Sequence, residues 1–151
     1  MPALVVDDGD GPWVPTQSAA IMLEATRRAG ERLLPPAEPR ARALATERLL
    51  YFLTDVIAPS NAGFHLSRIG LTGASEAMDA LVVERMGTGE AALRDTAWMG
   101  GARFSLADIA AFTLASFMKQ VIDWPTFPAM TAWFERMSRR PAVRLGLRAF
   151  G

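Results

Sequence analysis

The 151-residue chain contains no cysteine. That absence excludes a disulfide framework, thiolate metal sites and a cysteine nucleophile. Its only histidine, His65, cannot build a multi-histidine cluster, so no metal is expected. Redox chemistry marks no compartment, and a cytoplasmic location is the default expectation. Lysine is almost missing too: fifteen of the sixteen basic residues are arginine. We read that as the bias of a GC-rich genome rather than as a phosphate-binding surface. Sixteen acids balance the sixteen bases, which leaves no electrostatic footprint for nucleic acid or an anionic membrane. No basic stretch followed by an apolar one opens the chain, as a secretory signal would. The longest strongly apolar run, Ile109 to Met118, lies between Asp108 and Lys119 and is too short to span a bilayer. A soluble protein is expected.

Half of the residues are hydrophobic, enough for a sizeable core and too many for a disordered chain. Pro2 to Val6 reads as a strand, Asp7-Asp8-Gly9-Asp10-Gly11 as a turn and Trp13-Val14 as a short returning strand. The acidic turn also suggests calcium, but it lacks the full loop and the closing bidentate acid. Gln17 to Arg28 has helical spacing with Gly30 as terminator, and "LLPPAEPRAR" then breaks the chain. The division this predicts is a leading piece over residues 1–33 and an all-α body over 38–151.

Within the body, the apolar spacing predicts a long helix from Glu38 to Ile57, with Leu44, Leu49, Phe52, Leu53 and Val56 on its buried face. Pro59 is expected to end it and Asn61 to His65 to form a loop or fresh turn. Ala74 to Met86 is helical, Gly87-Thr88-Gly89 should kink or break it, and Glu90 to Ala97 resumes. "FSLADIAAFTLASFMKQV" is the most informative helix. Ser105 as N-cap and Asp108 at N3 form a capping box, and Phe104 with Ile109 a hydrophobic staple. With no charge from Ile109 to Met118, this helix should be buried on nearly all sides. Phe127 to Arg139 is amphipathic, and Pro141 starts a last short helix. Tyr51, the one tyrosine, sits among Leu49, Leu50, Phe52 and Leu53 and reads as core or interface.

Taken in order, "PALVVDDG", "TQSAAI", the proline-rich linker, "GARFSLADIAAF" and "RRPAVRLGL" resemble the glutathione S-transferase family over nearly the whole chain. The resemblance implies a mainly α fold: a transferase-type C-terminal helical bundle preceded by a β-hairpin and helix, the remnant of a thioredoxin-like domain. By the same resemblance Pro2 falls on the family's cis-proline. The backbone before it, at Met1, would hold the cysteinyl part of glutathione, and Gln17 and Ser18 the γ-glutamyl end. Elementary physics supports the last assignment, because a helix start offers free N–H groups and a positive dipole end to a carboxylate. The bland alternative is that Thr16 or Ser18 merely caps a helix.

The family's domain begins with a strand, a helix and another strand that have no counterpart here, and that segment carries its thiol-activating Tyr, Ser or Cys. A free thiol has a pKa of about 8.5 and needs a donor or positive field to react at neutral pH. No catalytic residue is therefore assigned, and the chain is expected to be weak or inactive. The implied parent activity joins glutathione, as substrate, to a small hydrophobic electrophile, a detoxification chemistry. Phe64 and His65 border the region of the electrophile pocket, although His65 also fits a surface or loop-ordering role. A homodimer is implied by resemblance. The other reading is a non-catalytic module of the same fold, serving dimerisation or binding of hydrophobic ligands.

Overall fold

The computed structural model describes residues 2–34 and 38–149. A two-stranded antiparallel hairpin opens the fold, with β1 (Val6–Asp7) set against β2 (Pro12–Trp13). The strands are shorter than the sequence suggested, because Pro2, Ala3 and Val5 are exposed and only Val6 turns into the core. One further bond, from the Leu4 N–H to the Pro15 carbonyl at 3.1 Å, extends the ladder. The acidic stretch closes the turn through Gly9 and Gly11, both at positive φ, and the Asp7 side chain accepts from the Gly9 N–H. A glycine adopts that backbone at no steric cost.

Helix α1 (Ser18–Arg28) ends in a Schellman turn. Gly30 takes φ +70 and donates to the Arg27 carbonyl, while the Glu31 N–H reaches back to Thr26. Among the described residues, a backbone bond and an ion pair help to tie the leading piece to the body. The Leu106 N–H, one of the orphan donors at a helix start, bonds the Leu33 carbonyl, and Arg42 pairs with Glu31. Pro35, Pro36 and Ala37 of the linker lie outside the described residues.

The body holds six α-helices among the described residues: α2 (Pro39–Tyr51), α3 (Ala58–Arg68), α4 (Thr72–Asp95), α5 (Leu106–Phe117), α6 (Pro128–Ser138) and α7 (Pro141–Arg148). Glu38 caps α2, its carboxylate accepting from the Arg40 and Ala41 N–H groups. Two expected breaks are absent, and each has a compensating partner. Pro59 does not end the long helix. Between α2 and α3 the backbone widens into a π-helical segment, Phe52–Ile57, and Asn61 to His65 continue as helix rather than loop. A proline lacks the N–H that would satisfy the carbonyl four residues earlier. Here that carbonyl belongs to Asp55, and Arg85 of α4 donates to it through Nη1 at 2.8 Å. Replacing Arg85 by Met should therefore cost about 1 kcal/mol, the usual net worth of a hydrogen bond at a part-buried carbonyl. Urea unfolding of Arg85→Met beside a surface control such as Arg139→Met would measure it; equal midpoints would refute the account.

Nor do Gly87 and Gly89 interrupt α4, which runs unbroken for 24 residues. A Cβ on Gly89 would lie 3.2 Å from Phe52 Cζ and 3.3 Å from Met99 Cε. The glycine is there to let the π segment and the Met99 loop approach, and that contact offsets its poor helix propensity. The core lies between α5 and its neighbours, with Phe52, Val82, Met86, Met130, Trp133 and Met137 fully buried. Leu44, assigned to the buried face, is instead exposed, and Ala45 takes the inward position.

Candidate functional site

Three groups of residues were singled out by sequence, and the structure places them in different parts of the fold. The first is the hairpin end. Val6 pairs with Trp13 and Asp7 with Pro12, and the Leu4–Pro15 bond keeps the same register. Carried two residues further, that register sets Pro2 opposite Gln17. Met1 lies outside the described residues, and with it the Met1–Pro2 peptide bond. Gln17 is the N-cap of α1 in extended conformation, and no side chain caps the helix. Ser18, the first helical residue, is exposed, and the first turn carries no acid. The start of α1 thus presents uncapped N–H groups and the positive end of the helix dipole to solvent. Neither Thr16 nor Ser18 supplies a cap bond.

Further along α1, Glu24 is clamped by Arg27 and Arg28, with N···O distances of 2.7 and 2.6 Å. Their hydrogen bonds hold its carboxyl down at about 2. The cluster braces the helix that carries Ser18 and stands a turn and a half away from its start.

The second group concerns Phe64 and His65. Both lie on α3, and the structure separates them. Phe64 lines a cavity of about 310 Å³ between α3 and α5, together with Ile57, Asn61, Thr113, Leu114 and Phe117. His65 is turned away from that wall, exposed, and meets the Phe64 ring edge-on at 5.8 Å. Consecutive helical residues differ by about 100° in direction, so two neighbours seldom share a wall. Sequence reasoning missed Asn61, Thr113 and Phe117. A signal was available in Thr113 and Phe117, which are four apart on one helix face. The absence of charge implies a helix buried on nearly all sides, and Phe117, 69% exposed, lies on the side that is not.

The third group is the base of α5. Ser105 and Asp108 form a reciprocal capping box. The Asp108 carboxylate, fully buried, accepts from the Ser105 N–H at 2.9 Å and Ser105 Oγ at 3.2 Å on one oxygen. On the other it accepts from the Met99 N–H at 2.8 Å and Trp133 Nε1 at 2.9 Å. Burial pushes its pKa up from the ordinary carboxylate value, and the four donors pull against that shift. This side chain knots the 99–105 loop, α5 and α6 together. Its chemistry is structural. Glu90 plays a similar part on α4: buried, it accepts the Ala129 and Met130 N–H groups at the start of α6. Tyr51, half-buried, donates to the Arg85 carbonyl and lies 2.9 Å from Thr88 Oγ1. Among the described residues, no three His, Asp or Glu side chains stand together as a metal site, and no helix is long and apolar enough to cross a membrane.

A hairpin and helix leading into an all-α body, built on a capped and largely buried central helix, is the glutathione-transferase architecture. Residues 75–141 match the family profile described as "Glutathione S-transferase, C-terminal domain". That stretch of the helical body is thus similar to the family's C-terminal domain. The chain is 29% identical over 141 residues to the disulfide-bond oxidoreductase YfcG of Escherichia coli K12, a match covering 90% of this chain and 64% of that protein. Glutathione transferase YghU of Streptococcus pneumoniae, solved in complex with glutathione, superposes with a TM-score of 0.82 at 22% identity, over 97% of this chain and 60% of that one. A Pseudomonas fluorescens Pf-5 family member, solved with two glutathiones bound, gives 0.82 at 24% identity, over 97% and 70% respectively. The chain thus spans less than two thirds of the length of YfcG and of YghU.

Proposed function

We propose that this chain is a glutathione-binding member of the family, with residues 1–33 forming part of a thioredoxin-like glutathione site and 38–151 the helical domain. The observation that supports the reading is the uncapped start of α1 at Gln17 and Ser18, which follows directly on the hairpin that Pro2 leads into. A γ-glutamyl carboxylate there meets free N–H groups, the helix dipole and the Ser18 hydroxyl, while Gln17 contacts the ligand's amino group. The glutathione held by YghU and by the Pseudomonas protein supports the assignment.

In this reading the parent activity is conjugation of glutathione to a small hydrophobic electrophile. The Phe64 cavity, with its largely apolar wall and Asn61 as a polar contact, suits such a molecule. Activation of the thiol needs a hydrogen-bond donor or positive field at the sulfur, and no residue of this chain is assigned to that role. The protein works as a cytoplasmic homodimer.

Calorimetric titration of glutathione into the wild type and Ser18→Ala tests the site. Loss of one hydrogen bond to a charged group should weaken binding roughly tenfold or more. No heat from a folded wild type, or equal affinity in the variant, would defeat the reading.

A further inference from the structure

We draw no further inference here: the strongest candidate, the wall that the π-helical segment Phe52–Ile57 gives through Ile57 to the cavity between α3 and α5, belongs to the site already described.

Discussion

Asp108→Asn should lower the unfolding free energy by about 2–4 kcal/mol, although the change removes a single charge and keeps the side chain's shape. The reason lies in the donor count. All four partners of the carboxylate point protons at it: Met99 N–H and Trp133 Nε1–H on one oxygen, Ser105 N–H and Ser105 Oγ–H on the other. An asparagine can offer its oxygen to only one of these pairs. Whichever way the amide is turned, its NH₂ faces at least one backbone N–H that cannot accept. A buried donor is left unpaired, and the position is fully enclosed, so water cannot repair it. Urea unfolding at neutral pH measures the loss, and a change within the error of the extrapolation would contradict it.

The pH dependence has a sign that separates burial from hydrogen bonding. Burial holds the Asp108 pKa above its unfolded value of 3.8. In the window above 3.8 the folded state then binds more protons than the unfolded one, so this group's contribution to stability falls as pH rises and levels off above the folded pKa. Asparagine does not titrate. The stability difference between wild type and Asp108→Asn should therefore shrink as pH rises through that window and stay constant beyond it. A difference that grew with pH would mean the four donors outweigh burial and hold the pKa below the ordinary value. Glu24 runs the other way: with its carboxyl held at about 2, its contribution is present above 4.5 and is lost as pH falls toward 2.

How much of this was legible in the sequence depends on how far each residue's partner lies along the chain. The Ser105–Asp108 box was readable because both members sit within one turn and the chemistry of a helix start is local. Trp133 was visible only as part of an amphipathic stripe, since its bond to Asp108 bridges 25 positions. The two expected breaks failed for the same reason. Pro59 has a rule that says stop, and Gly87 and Gly89 have a propensity that says weaken. What overrides them, Arg85 on the Asp55 carbonyl and Phe52 with Met99 against Gly89, comes from elsewhere in the chain. Misplacing Asn61 to His65 in a loop then blurred the candidate site. Without a helix through Phe64 there was no direction to tell its face from that of His65, and no reason to seek Thr113 or Phe117 opposite.

Gly100→Ala is expected to be the other severe change, costing about 2–4 kcal/mol in a loop where alanine would ordinarily be harmless. Propensity cannot be the reason. A Cβ built on Gly100 collides with Ser105 Oγ and lies 3.2 Å from both Ala45 Cβ and Ser105 Cβ. Ser105 cannot yield cheaply, because it is fully buried and its N–H and hydroxyl are both committed to Asp108. The next residue gives no slack either. Gly101 takes φ +123 and closes a two-bond bridge with Trp98. Ala45 holds the other side from α2, with 1% of its surface exposed. Steric damage at Gly100 is thus transmitted into the capping box, and a double-mutant cycle exposes the link. Ser105→Ala removes the colliding oxygen at the cost of the hydroxyl's bond to the carboxylate and its capping bond from the Asp108 N–H, so Gly100→Ala should cost roughly 1–2 kcal/mol less in the Ser105→Ala background than in the wild type. Strict additivity would show that the box and the glycine act independently. The backbone would then have to move elsewhere to admit the methyl group, and the knot at the base of α5 would be looser than its four hydrogen bonds suggest.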